Sequence, residues 1–127
     1  MSRLPIPTED EECIRFAEWL RLNHIKFGHV NNEMFTTSWK QKKRQLLMGS
    51  AKGIPDYLVV LRPNQTVDGA GKLIFVEMKR TKGGVVSKDQ EEWLSALNDA
   101  NQSIAVCKGA TKACAYVMGF MKQKSVN

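Results

Sequence analysis

"GIPDYLVVLRP" (53–63) and "KLIFVEMKRTKGG" (72–84) decide how this chain reads. Both are apolar runs of strand length, rich in β-branched and aromatic residues, with the turn chemistry of "NQTVDGAG" between them. Yet Asp56 heads the first run, and Glu77 and Lys79 lie inside the second. Strand alternation puts Leu73, Phe75, Glu77 and Lys79 on one face and Ile74, Val76, Met78 and Arg80 on the other. A carboxylate and an ammonium therefore point the same way from a strand that otherwise reads as buried. Isolated buried charges cost on the order of several kcal/mol, so they need partners, a metal, or solvent in a cleft. Two adjacent strands would place Asp56 and Glu77 within bridging distance of one cation, and all-oxygen ligands suit Mg²⁺ or Mn²⁺ better than zinc. The alternative is an exposed Glu77–Lys79 pair with Asp56 as a turn residue. The spacing counts against it, because the acid leads one hydrophobic strand and the E-x-K ends the next.

Outward from this pair, the N-terminal side opens with a helix over about Glu9–Leu22, capped by Thr8, with Cys13, Phe16, Ala17 and Leu20 as its apolar stripe. "IKFGHVNN" alternates as a strand. "TTSWKQKKRQLLMGSAKG" is basic and reads either as a short helix or as an irregular loop. On the C-terminal side, "SKDQEEWLSALNDAN" reads as a helix with a Ser87–Gln90 capping box. "SIAVCKG" follows as a short buried strand and "ATKACAYVMGFMKQ" as a closing amphipathic helix. The order α-β-β-β-α-β-α makes an α/β domain over residues 1–127, with a central mixed sheet of about four strands that needs cover on both faces.

The chain has 127 residues, 43% of them hydrophobic, and 19 basic against 13 acidic side chains for a net charge of +6. That balance favours a polyanionic partner. Cys13, Cys107 and Cys114 form neither a CxxC pair nor a Cys/His cluster, so they read as reduced thiols. "MSRLPIPTEDEE" carries no apolar signal core and no apolar run approaches membrane-spanning length. The expectation is a cytoplasmic protein, in a cell or a virus-infected host cell, with no membrane partner and no organic cofactor. No serine or cysteine stands near a histidine with an orienting acid, which argues against a covalent nucleophile. "HVNNE" hints at an HNH site, but that unit needs a further histidine, and His24 and His29 are the two the chain has.

"GIPD…FVEMKR" resembles the PD-(D/E)xK nuclease signature, and the fold so implied is restriction-endonuclease-like. More narrowly, "KGIPDYLVV" with "VEMKRTKGGVVSKDQEEWLSAL" resembles the virus-type replication-repair nuclease (VRR-Nuc) family. The likeness spans nearly the whole chain and is closest from Lys52 to Leu97. It implies a metal-dependent DNA endonuclease using Mg²⁺ or Mn²⁺, with Asp56, Glu77 and the backbone carbonyl of Met78 as ligands. Lys79 would orient the attacking water and offset phosphate charge, and Gln90 would join the site from its helix. From the residues alone, Gln90 is equally the capping partner of Ser87.

The family also implies a glutamate on the first helix. Helical phase puts Glu9 within the apolar stripe, Glu12 at its edge and Glu11 far round, so Glu9 is the choice and Glu12 the second. The family's glutamine four positions later is Cys13 here. Lys40, Lys42, Lys43, Arg44 and Lys52 ahead of Asp56, with Arg80 and Lys82 behind Lys79, are candidate phosphate contacts, or else solvated faces. With little chain left for reading sequence, the expected substrate is DNA of particular structure, branched or four-way. Flap or end cleavage, and a non-catalytic binding module on the same fold, are the alternatives. A homodimer is expected, since two related strands need two sites; Ile14, Trp19, Met34, Phe35 and Trp39 are its candidate interface residues.

Overall fold

The computed structural model describes residues 5–30 and 38–123. Helix α1 (Glu9–Leu22) starts at Thr8, whose hydroxyl accepts from the Glu11 amide at 3.1 Å while the Glu11 carboxylate accepts from the Thr8 amide at 3.3 Å. Four acids in its first turn suit the positive end of the helix dipole. Strand β1 (Lys26–His29) follows, then helix α2 (Trp39–Leu47) and strands β2 (Tyr57–Leu61) and β3 (Lys72–Lys79). Helix α3 (Lys88–Asp99), strand β4 (Ser103–Lys108) and helix α4 (Ala110–Met118) complete the order.

The sheet runs β1-β2-β3-β4, antiparallel except for the parallel β3–β4 pair. Alternation holds along β2 and β3: Tyr57, Val59 and Leu61 with Ile74, Val76 and Met78 turn to one face and are buried there. Against them pack Phe16 and Leu20 of α1 and Ala113 and Val117 of α4, forming one apolar core. Phe16 meets Tyr57 edge-on with ring centres 5.0 Å apart. Past α4, the chain bonds back to the β2–β3 connection, where the amide of Lys122 donates to the Gln65 carbonyl at 2.7 Å.

The structure resolves one open choice and corrects one element of the sequence reading. The basic stretch before Asp56 is a helix, α2, which adds one element between β1 and β2; Ser38 caps it. None of its side chains is buried, and Trp39 is 80% exposed. Strand β4 is not a buried strand: it is the edge of the sheet, only Cys107 is buried on it, and Val106 is 38% exposed. An apolar run signals a strand but carries no information about which strand ends on the edge. Of the expected interface residues, Trp19 packs against the core and stacks on Phe16, Ile14 and Trp39 are exposed, and Met34 and Phe35 lie outside the described residues.

Candidate active site

Asp56 reaches its place through a tightly packed approach. Gly53 has φ +90 and lies so close to α3 that a Cβ there would come within 2.5 Å of the Asp89 carbonyl carbon and 2.7 Å of the Gln90 nitrogen. Only glycine fits, both for its conformation and for the contact. Pro55 is buried, and the Asp56 carbonyl accepts from the Val30 amide at 2.6 Å, joining the head of β2 to the end of β1. The register then sets Asp56 one step beyond the Tyr57–Val76 pair, level with Glu77. Its Oδ2 accepts from the Met78 amide at 2.7 Å.

Glu77 is 1% exposed and faces α3 rather than the main core. Its Oε1 accepts from Gln90 Nε2 at 2.7 Å and lies 3.7 Å from Lys79 Nζ. Its Oε2 has no hydrogen-bond partner among the described residues. Gln90 unites the two readings of it. Its Oε1 closes the capping box on the Ser87 amide at 2.9 Å, and its Nε2 holds Glu77. Lys79 is positioned by the loop that follows it, because a Cβ at Gly84 would come within 2.9 Å of the Lys79 Cβ. The second glycine of "KRTKGG" thus serves close packing on Lys79.

Helix α1 supplies the third acid. The Tyr57 hydroxyl donates to the Cys13 carbonyl at 3.1 Å, fixing α1 to the first residue of β2. Glu9, one turn before Cys13, then falls beside Asp56. One oxygen each from Glu9, Asp56 and Glu77 all lie within 4.8 Å of one another. Glu12, the second candidate from helical phase, is not in this group. It is 4% exposed, its Oε2 accepts from the Ala110 amide, and its Oε1 lies 3.6 Å from Arg15.

The electrostatics follow from the crowding. Burial pushes the Glu77 carboxyl up to about 8, Asp56 adds to the rise, and Lys79 opposes it. Glu9 is raised by burial first and by Asp56 second. A divalent cation reverses these repulsions, and a cluster of carboxylate oxygens with one buried oxygen left unpartnered is the donor set such an ion takes. The cysteines offer no competing nucleophile: burial pushes the thiols of Cys13 and Cys107 up to about 11. His24 sits in the turn after α1 at φ 55, and His29 lies against Tyr57 with ring centres 4.8 Å apart.

The basic candidates Lys40, Lys43, Arg44, Lys52, Arg80 and Lys82 are exposed and Lys42 is partly buried; Arg80 and Lys82 follow directly on Lys79. Sequence reasoning took the glycine and proline of "GIP" as fixing the approach to Asp56, and missed the packing of Gly84 on Lys79 and the inward turn of Glu12.

The family model of the VRR-NUC domain matches residues 10–111. A solved structure described as a VRR_NUC domain protein superposes with a TM-score of 0.70 at 18% identity, covering 92% of this chain and 90% of that one. No curated protein matches the sequence. The class is therefore a nuclease-type domain on a restriction-endonuclease-like fold, with nucleic acid as its substrate class. Within that class, the chain belongs to the VRR-NUC domain family. Nuclease domains of this family usually use divalent metals, and the three acids fit that use.

Proposed function

We propose that this chain is a metal-dependent DNA endonuclease that hydrolyses phosphodiester bonds and selects branched or four-way DNA by structure, in replication, repair or recombination. The observation that carries the reading is the group formed by Glu9, Asp56 and Glu77, with Lys79 beside it and Glu77 Oε2 unpartnered. Asp56, Glu77 and the Met78 carbonyl would hold Mg²⁺ or Mn²⁺, with Glu9 closing the site from α1. When bound, such an ion polarises the phosphate and lowers the pKa of water.

The chain's own residues do the rest. The Met78 amide and Gln90 fix the orientation of Asp56 and Glu77, as outer hydrogen bonds do around a ligand set. Lys79 orients the attacking water and offsets the charge that grows on the phosphate. Lys40, Lys42, Lys43, Arg44, Lys52, Arg80 and Lys82 supply phosphate contacts without base specificity.

Symmetric cleavage of a four-way junction takes two sites, and a twofold homodimer provides them. Trp39, Leu46, Leu47 and Met48 in and just after α2, and separately Ile14 on α1, are exposed apolar side chains that support assembly. The test is a panel of labelled linear, flapped and four-way DNAs incubated with Mg²⁺, Mn²⁺ or chelator, beside sedimentation at micromolar concentration. Metal-dependent cutting that prefers the four-way substrate, by a dimer, is the expected result. Preference for flaps or ends moves the reading to that class, and binding without cutting under any metal overturns it in favour of a binding module.

A further inference from the structure

Glu12 is a nearly fully buried carboxylate that the proposed chemistry does not use. It sits on α1, but its partner belongs to α4, nearly a hundred residues on in the chain: Oε2 accepts from the Ala110 amide. Ala110 is the first residue of α4, and the residue before it, Gly109, has no side chain with which to cap the helix. A helix start leaves amides without intrahelical acceptors and carries partial positive charge, so a carboxylate there satisfies both needs. Glu12 therefore caps α4 from a different element. The fit is close, because a Cβ on Gly109 would lie 2.8 Å from Glu12 Oε2 and 2.8 Å from Thr81 Cγ2, and Gly109 has φ +97.

The same junction reaches the site strand. The Gly109 amide donates to the Lys79 carbonyl at 3.0 Å, so the start of α4 is bonded to the end of β3 on one side and to α1 on the other. Glu9 lies three positions before Glu12, about 60° round the same helix. Fixing Glu12 therefore fixes the rotation and approach of the turn that carries Glu9. Tyr57, through the Cys13 carbonyl, ties α1 to β2, and Glu12 ties it to the start of α4, which Gly109 in turn bonds to the end of β3. Core packing through Phe16 and Leu20 holds α1 on the sheet, and these two polar ties fix the rotation and height of its first turns.

We propose that Glu12 is a positioning residue: by capping α4 across the fold it holds α1 where Glu9 meets Asp56 and Glu77. For the role it assigns Glu9, this rests on the nuclease reading. Glu12 itself contributes no oxygen to the acid group.

The test combines amide hydrogen exchange with Mn²⁺ titration, on wild type, Glu12→Ala, Glu12→Gln, Glu9→Gln and the Glu9→Gln/Glu12→Ala double variant, well below each melting temperature. Glu12→Ala is expected to speed exchange at Ala110 and along α1, and to weaken Mn²⁺ binding about 10- to 100-fold although no ligand is lost. Glu12→Gln keeps an oxygen for the Ala110 amide and restores both. In the Glu9→Gln background Glu12→Ala has no further effect on Mn²⁺, because it acts through Glu9. Unchanged exchange in Glu12→Ala, or a Mn²⁺ loss of equal size in both backgrounds, overturns the proposal. Wild type that binds no Mn²⁺ defeats the metal reading instead, and the exchange data then decide the positioning role alone.

Discussion

Glu77 and Glu12 are both buried glutamates, 1% and 4% exposed, and their surroundings are opposite in kind. Glu12 meets the start of a helix, with an amide on one oxygen and Arg15 near the other. Glu77 meets a neutral amide and a lysine on one oxygen, a second carboxylate alongside, and nothing on its other oxygen among the described residues. A carboxylate whose needs are met by the fold is part of the frame. One left unsatisfied beside another acid is the kind of group the proposed metal would meet.

Removing side chains should separate the two roles first in cleavage. Asp56→Ala, Glu77→Ala and Lys79→Ala are each expected to lower the cleavage rate on the order of 10²–10³-fold, leaving the fold intact. DNA affinity should change little, because it is spread over many basic residues. Rates on labelled DNA and mobility-shift titrations check this, and undiminished cutting by Asp56→Ala or Glu77→Ala would break the assignment.

Stability should then move in opposite directions. Glu12→Ala leaves a buried helix amide unpaired and is expected to cost about 1–3 kcal/mol. Without metal, Glu77→Gln is expected to stabilise at pH 8, since it removes a charge that burial and Asp56 oppose. The sign follows from linkage. With a folded value of about 8 above the ordinary 4.5, Glu77 binds more proton in the folded state, so its contribution declines as pH rises from 4.5 through 8. Denaturant unfolding of metal-free wild type across that range should show the decline, and Glu77→Gln should flatten it.

How far this was legible in the sequence differs by residue. Asp56, Glu77 and Lys79 stand out because acids and an ammonium interrupt apolar strands, and strand register alone brings the two acids level. The mixed four-strand sheet followed from the same alternation. Gln90 stayed divided between cap and site because its two amide atoms serve one role each, a division the sequence cannot display. Glu12 was read only as a rival to Glu9. Helical phase reports which way a side chain points along its own helix, and the start of α4 that Glu12 meets lies far off in the chain. The edge position of β4 escaped for a similar reason, as it depends on what packs beside an element.

A smaller effect sharpens the helix assignment. Glu9→Gln is expected to lower activity clearly more than Glu11→Gln, whose carboxylate caps its own helix at Thr8, or Glu12→Gln, which keeps its acceptor. Single-turnover rates at fixed Mn²⁺ compare the three. Equal rates would show that the site does without an acid from α1.

The most direct measurement is calorimetric titration of Mn²⁺ into wild type and Glu77→Gln at pH 7, in two buffers of different ionisation enthalpy. Burial and the neighbouring Asp56 raise the Glu77 carboxyl above the ordinary carboxylate range, so metal binding at that pH displaces proton from it, since a ligand must be ionised. The account predicts one site per chain in wild type, net release of proton on binding, and loss of both in Glu77→Gln. Binding that persists in Glu77→Gln with the same proton release would contradict it.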